Sequence, residues 1–79
     1  MFTNIDRNSK VPLKKQIYDT IIEDILAGRR RAGEKMPSTR MLADSLGEAR
    51  NVMVEVYEQL TSEGYLDVVR GKGTFISSV

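Results

Sequence analysis

Two neighbouring side chains near the middle of the chain, Arg50 and Asn51, could recognise flat partners that offer paired hydrogen-bonding groups. A guanidinium group can donate two parallel hydrogen bonds to guanine, and a carboxamide can form a matching pair with adenine. Each good pair discriminates against a wrong base by about 1 to 3 kcal/mol. Both residues are therefore candidate base readers, and the next residue, Val52, could contact a thymine methyl group.

A second basic group, Arg70-Gly71-Lys72, separates two short segments that are rich in β-branched and aromatic residues. Cations on a glycine-rich turn suit contact with phosphates, which position a protein on a duplex without reporting its sequence. An ordinary hairpin turn is the alternative interpretation. The run from Gly71 to Thr74 superficially resembles the phosphate loop of nucleotide-binding proteins, but it lacks the upstream glycine spacing and the following helix.

The elements that must position these residues begin with a helix from Leu13 to Ala27. Pro12 suits the start of that helix, and Gly28 is a natural stop. Its apolar residues recur at intervals of three and four, which places them on one helical face. They are Leu13, Ile17, Tyr18, Ile21, Ile22, Ile25 and Leu26.

A second, shorter helix is expected between Ser38 and Gly47, with Ser38 as its N-cap and with Met41, Leu42, Ala43 and Leu46 on its apolar side. A turn and a very short strand, Glu34-Lys35-Met36, precede it. A third helix follows Gly47 almost at once and closes at Gly64, with a stripe formed by Met53, Val56, Tyr57 and Leu60. This stripe could dock a partner helix, but core packing accounts for it better. Val52 and Val54 do not belong to the stripe, so we expect both side chains to point away from the core.

Two helices joined by so short a glycine-bearing turn are typical of a helix-turn-helix. The last segments, YLDVV and TFIS, predict a β-hairpin with Arg70-Gly71-Lys72-Gly73 at its tip. The predicted fold class is therefore α+β, with three helices, a very short strand before the second helix and a C-terminal hairpin. In such a fold the third helix can enter a major groove while the hairpin reaches along the backbone. Arg50 would then open the reading helix, where a cation opposes the helix dipole, and that local misfit favours a functional role.

Composition narrows the function further. The chain has 79 residues, no cysteine and no histidine, so disulfides, thiolate chemistry, the usual zinc sites and histidine-based acid-base catalysis are excluded. We therefore expect no enzyme and no cofactor in this chain. We also expect one domain over residues 1–79, no membrane span, no secretory signal and a cytoplasmic protein.

Several motifs, in order, resemble the winged helix-turn-helix domain of the GntR family of bacterial transcription regulators. They are PLKKQIYDTIIEDILAG, RAGEKMPSTRMLADSLG, ARN, VYEQLTSEGYL and GKGTF. The resemblance covers residues 10–76 and implies sequence-specific binding to an operator in double-stranded DNA. The alternative is a winged-helix module that meets a protein partner without reading DNA.

The resemblance also implies which residues contact DNA. They are Ser38 and Arg40 at the start of the second helix, Arg50, Asn51 and Val52 in the third, and Arg70, Gly71 and Lys72 in the wing. Arg40 could instead pair with Asp44 one helical turn later, an interaction worth only about 0.3 to 0.5 kcal/mol. Arg29 to Arg31 are interpreted as a solvated turn rather than as base readers.

The sequence also departs from the pattern of the family. Where the family usually shows Gly-Val-Ser-Arg-Asn-Thr, this chain has Gly47-Glu48-Ala49-Arg50-Asn51-Val52. Two hydroxyl groups are missing, and Glu48 places a carboxylate where the turn approaches the anionic backbone. We therefore expect affinity or operator preference to differ.

The segments PSTR and YEQLTSEGYL most resemble the MocR-like subgroup, although they are also compatible with the short GntR subgroups. The resemblance implies a homodimeric full-length protein with an effector or dimerisation domain outside this chain. In MocR-like proteins that domain is aminotransferase-like and binds pyridoxal phosphate.

Overall fold

The computed structural model describes residues 5–78, and it consists of three helices followed by a β-hairpin. The elements are α1 (Leu13–Leu26), α2 (Thr39–Leu46), α3 (Arg50–Ser62), β1 (Leu66–Val69) and β2 (Gly73–Ile76). The α+β fold with three helices and a C-terminal hairpin is thereby confirmed.

The bounds of α2 follow from its two capping residues. The hydroxyl oxygen of Ser38 accepts a hydrogen bond from the backbone N–H of Met41 at 3.1 Å, which satisfies one of the free donors at the start of the helix. At the other end Gly47 has φ +66°, a left-handed conformation that glycine adopts without steric cost. The chain can therefore turn into α3 after only two more residues.

The hairpin pairs its strands antiparallel, with Leu66 opposite Ile76 and Val69 opposite Gly73. We had expected Gly73 in the turn, and this was wrong, because it pairs with Val69 as the first residue of β2. The turn itself is therefore Arg70-Gly71-Lys72. Gly71 has φ +80° there, and the N–H of Lys72 donates to the carbonyl of Val69 at 2.9 Å.

The very short strand before α2 is present as a single antiparallel bridge between Lys35 and Phe75. The N–H of Met36 donates to the carbonyl of Thr74 at 2.8 Å, and the N–H of Ile76 donates to that of Glu34 at 2.8 Å. These bonds attach the segment that leads into α2 to the outer edge of β2. The start of α2 is thus fixed relative to the hairpin.

One hydrophobic core joins all of these elements, and α3 packs against α1, α2 and β1. The buried apolar residues are Ile17, Ile21, Met36, Leu42, Ala43, Met53, Val56, Tyr57, Leu60, Leu66 and Ile76. The predicted stripe of α3 is therefore core, as expected. Two residues assigned to buried faces are not buried, since Leu26 is 73% exposed and Met41 is 64% exposed.

Tyr57 connects α3 to the segment before α2 by a buried polar contact. Its hydroxyl donates to the carbonyl oxygen of Pro37 at 2.6 Å. Burial raises the pKa of Tyr57 to about 12, so the phenol stays protonated and able to donate at neutral pH. This bond holds the start of α2 against the middle of α3.

Candidate DNA-binding surface

The start of α2 presents an exposed cation beside a capping hydroxyl. Ser38 uses an oxygen lone pair to cap the helix, while its O–H can still donate outward. Arg40 is exposed. Within residues 5–78 no ion pair joins Arg40 to Asp44. The guanidinium at this helix start is therefore available to an anion.

The start of α3 carries the two predicted base readers. Arg50 and Asn51 are its first two residues, and both are exposed. The Nε–H of Arg50 donates to the hydroxyl oxygen of Thr39 at 3.3 Å. This contact brings the starts of α2 and α3 together, and among the described residues the two Nη groups of Arg50 have no hydrogen-bond or ion-pair partner. Ala49, at the N-cap position of α3, offers no side-chain cap.

The two valines of this region have different surroundings. We had expected Val52 and Val54 both to point away from the core, and for Val52 this was wrong. Val52 is half-buried and packs against the core, because it lies one helical turn before the fully buried Val56. Val54 instead lines an open groove of about 460 Å³ together with Thr39.

That groove relates the reading helix to the hairpin. Its walls come from the start of α2, from one side of α3 and from both strands of the hairpin. The lining residues are Thr39, Val54, Tyr57, Glu58, Thr61, Ser62, Val68 and Thr74. The hairpin and α3 therefore border one continuous concave face.

The tip of the hairpin carries two exposed cations, Arg70 and Lys72. In the part of the chain that the structure describes, neither forms an ion pair. At Gly73, φ is +125° and a Cβ atom would lie 3.0 Å from Cε of Lys35. Glycine at this position therefore leaves room for the Lys35 side chain beside β2 of the hairpin.

The arginines of the turn after α1 have structural partners. Nε of Arg29 lies 2.7 Å from Oδ1 of Asp24, whose side chain is only 12% exposed. Nη1 of Arg30 lies 2.9 Å from Oε2 of Glu34. These ion pairs satisfy a buried carboxylate and brace the turn, and they agree with the interpretation of this segment as something other than a base reader.

The turn between α2 and α3 is contacted by Arg7, from a segment that no sequence pattern placed there. Nη2 of Arg7 lies 3.2 Å from Oε2 of Glu48, and it also donates to the carbonyl oxygen of Leu46. The signal for this contact was weak. A carboxylate at Glu48 calls for a cation, but the sequence does not say which of its twelve basic residues supplies it.

Two further features bear on other kinds of site. Among residues 5–78 no group of three or more His, Cys, Asp or Glu side chains could hold a metal ion. None of the helices described is long and apolar enough to cross a membrane.

A polar contact also joins α1 to the end of α3. The hydroxyl of Tyr18 donates to Oε1 of Glu63, and this bond raises the pKa of Tyr18 to about 12.

Comparison with models of known protein families shows which family this chain matches. The family model described as bacterial regulatory proteins, gntR family, matches residues 13–76, which include both helix starts and the hairpin. The chain belongs to the gntR family. Its three helices and hairpin are the winged helix-turn-helix of that family, and we call the hairpin the wing.

Two curated members of the gntR family show how much of a longer protein this chain represents. It is 39% identical over 75 residues to the probable rhizopine catabolism regulatory protein MocR of Rhizobium meliloti, covering 95% of this chain and 15% of MocR. It is 37% identical over 73 residues to the transcriptional repressor YtrA of Bacillus subtilis, covering 92% of this chain and 56% of that repressor. The chain thus spans only part of each of these relatives.

Solved structures of other proteins have the same fold. YtrA from Sulfolobus acidocaldarius, a GntR-family transcription factor, superimposes with a TM-score of 0.87 at 38% identity, covering 100% of this chain and 83% of that one. AraR(DBD) in complex with operator ORX1 superimposes with a TM-score of 0.78 at 27% identity, covering 91% of this chain and 89% of that one. The second structure shows this fold bound to operator DNA.

Proposed function

We propose that this chain is the operator-binding part of a bacterial transcription regulator, and that it binds double-stranded DNA sequence-specifically with α3 in the major groove. One observation carries the proposal: Arg50 and Asn51 are exposed side by side on the first turn of α3. The N-terminal residues of a recognition helix are the ones that meet base edges in helix-turn-helix proteins. The superposition on AraR(DBD), a structure solved with its operator, supports binding of operator DNA by this fold.

The remaining predicted residues divide into two groups by chemistry. Ser38 and Arg40 offer a hydroxyl and a cation at the start of α2, where the helix dipole also favours an anion, so we assign them to phosphates. In the wing, Arg70 and Lys72 supply charge and Gly71 allows close approach of the backbone. We assign this tip to the DNA backbone or the adjacent minor groove.

Contact with a thymine methyl group is the role proposed for a valine of α3. Val52 gives part of its side chain to the core, so only the remainder is available to a base. Val54 follows Arg50 by one helical turn and lines the open groove. We therefore propose Val54 as the principal apolar reader and Val52 as a secondary one.

We also propose that this domain works in a longer, homodimeric regulator of the cytoplasm rather than in an enzyme. The curated relatives are longer and are named as a regulatory protein and a repressor. A domain with one reading helix reads one half-site, so a further domain that joins two copies would read both. If the full protein is MocR-like, that domain would bind pyridoxal phosphate.

Selection of DNA fragments from a random duplex pool tests the proposal. The wild-type chain should enrich a short motif, and Arg50→Ala should enrich the same motif with one position relaxed. Enrichment of no motif, together with the absence of salt-sensitive binding to duplex DNA, would instead favour a winged-helix module that meets an acidic protein, because phosphate contacts make DNA binding strongly dependent on salt.

A further inference from the structure

Glu48 is the one acidic residue in the turn that brings α3 to the DNA, and it precedes Arg50 by two residues. Two residues span at most about 7 Å of chain. The screening length at physiological ionic strength is about 8 Å. A phosphate that approaches the first turn of α3 therefore lies within reach of the charge of Glu48, and the two anions repel each other.

Arg7 places a cation directly on that carboxylate. The distance from its Nη2 to Oε2 of Glu48 is 3.2 Å, and the same nitrogen donates to the carbonyl oxygen of Leu46, the last residue of α2. The Glu48 side chain is 26% exposed and that of Arg7 is 50% exposed. The pair is thus open to solvent on the side of Arg7, at the end of α2.

The segment that carries Arg7 is anchored by its backbone. The carboxamide of Gln16 in α1 accepts from the N–H of Asp6 at 2.8 Å and donates to the carbonyls of Asp6 and Val11 at 2.9 and 2.8 Å. The N–H of Asn8 donates to the Asp6 carboxylate at 2.9 Å. These bonds fix the backbone on both sides of Arg7, which lowers the entropic cost of holding the ion pair.

We propose that Arg7 is a positioning residue for DNA binding, which acts by neutralising Glu48 so that the turn before α3 can approach the phosphate backbone. The inference rests on the proposed function, and it assigns a role to a residue outside both the helix-turn-helix and the wing. Exposed ion pairs add little to folding. The consequence of this pair is therefore expected in DNA binding more than in stability.

Two other roles for Arg7 make different predictions. If Arg7 itself contacts a phosphate, its loss flattens the plot of log affinity against log salt by about 0.9, whatever residue stands at position 48. If Arg7 only caps α2 through the Leu46 carbonyl, its loss weakens binding whether or not position 48 carries a charge. Neutralisation alone predicts that removing both charges restores the wild-type behaviour.

The test measures duplex affinity and its salt dependence for the wild type, Arg7→Ala, Glu48→Gln and the double variant. We expect Arg7→Ala to weaken binding about threefold or more at low salt, with the effect shrinking as salt rises. Glu48→Gln should strengthen binding, and the double variant should match the wild type in both affinity and salt slope. The proposal is overturned if the double variant binds as weakly as Arg7→Ala. It is also overturned if the salt slope of the double variant stays lower than that of the wild type by about 0.9, the value for one phosphate contact.

Lys15→Ala provides a matched control, because Lys15 forms a comparable exposed ion pair with Asp19, with Nζ 3.0 Å from Oδ2. Lys15 lines a surface groove beside Gln59. Gln59 lies about 13 Å along α3 from Arg50. We expect this control to leave affinity and salt slope near the wild-type values, and a loss equal to that of Arg7→Ala would also overturn the proposal.

The experiment separates this inference from the proposed function. If the wild type binds no duplex at all, the proposed function fails and the role of Arg7 fails with it. In the other case, the wild type binds DNA and Arg50→Ala impairs that binding. If the Arg7 and Glu48 variants then have the same affinity and salt slope as the wild type, only the role of Arg7 is refuted. Thermal unfolding of each variant confirms that affinities are compared between folded proteins.

Discussion

The Nε–H of Arg50 donates to the hydroxyl of Thr39 across 3.3 Å, and this single contact joins the first turn of α3 to the first turn of α2. It holds the guanidinium through Nε and, within residues 5–78, leaves both Nη groups without a partner. A reading side chain that is held before binding loses less conformational entropy when it meets a base. The helix-turn-helix therefore presents Arg50 in an ordered position.

The Ser38 hydroxyl has two separable roles, a cap for α2 and a phosphate contact. Ser38→Ala should lower the free energy of unfolding by about 1 kcal/mol, since the N–H of Met41 loses its partner. Ser38→Asp keeps the cap and suits the helix dipole, so it should restore stability while weakening DNA binding through repulsion. Chemical denaturation and duplex titration measure the two effects. Retention of full affinity by Ser38→Asp would remove this residue from the DNA contacts.

The hydrogen bond from Tyr57 to the Pro37 carbonyl should contribute to stability. Tyr57→Phe leaves that carbonyl without its donor and should lower the free energy of unfolding by about 1 to 2 kcal/mol. Denaturation at neutral pH measures this loss. An unchanged midpoint would mean that water replaces the phenol at no cost.

The same residue predicts how stability depends on pH. The folded-state pKa of Tyr57 is raised from 10.0 to about 12, so in alkali the unfolded chain loses this proton first. Stability linked to Tyr57 is therefore fully present below pH 10 and falls between pH 10 and 12, by at most about 1.4 kcal/mol per pH unit. Tyr57→Phe should show a shallower decline over this range, and an equally steep one would contradict the assignment.

The wing should contribute charge rather than sequence discrimination. Lys72→Ala should weaken specific and random duplexes alike and flatten the plot of log affinity against log salt by about 0.9, since one phosphate contact is lost. Lys15→Ala is the control, because it removes a cation of α1 that lies beside Gln59, nine residues along α3 from Arg50. An unchanged salt slope for Lys72→Ala would exclude the tip of the wing from the interface.

The oligomeric state should limit affinity. Apart from the exposed Leu26 and Met41, the apolar stripes of the three helices pack in or against the core of the chain, so we expect the isolated chain to be largely monomeric in dilute solution. Tethering two copies should raise affinity for a two-half-site operator by about 100-fold or more, because the second half-site is met at high effective concentration. Light scattering and titration check this together. A tight dimer of the isolated chain would contradict it.

Local signals made much of the fold predictable. Ser38 and Gly47 bound α2 because a cap and a left-handed turn depend on the residue itself and a few neighbours. The hairpin was equally clear, although its turn was placed one residue too far, at Gly73. Val52 was misjudged even though its spacing from Val56 indicated the same helical face. Leu26 lies five residues after the buried Ile21, about 140° around the helix, so it cannot share that face.

The contacts that the sequence could not provide are those between distant segments. Arg7 meets Glu48 only because the carboxamide of Gln16 holds the preceding segment against α1, and no spacing rule encodes that arrangement. The Tyr57 bond to Pro37 likewise depends on how α3 packs. Residue types located the candidate readers, whereas tertiary packing decides which of them are exposed.

The central claim is tested most directly by four affinities measured at one salt concentration. They are those of the wild type and of Arg50→Ala, each for a selected operator and for a random duplex. If Arg50 reads a base, the variant should lose about 1 to 3 kcal/mol on the operator and much less on the random duplex. Equal losses on both duplexes would show that Arg50 contacts only the backbone, and they would contradict the assignment of α3 as the reading helix.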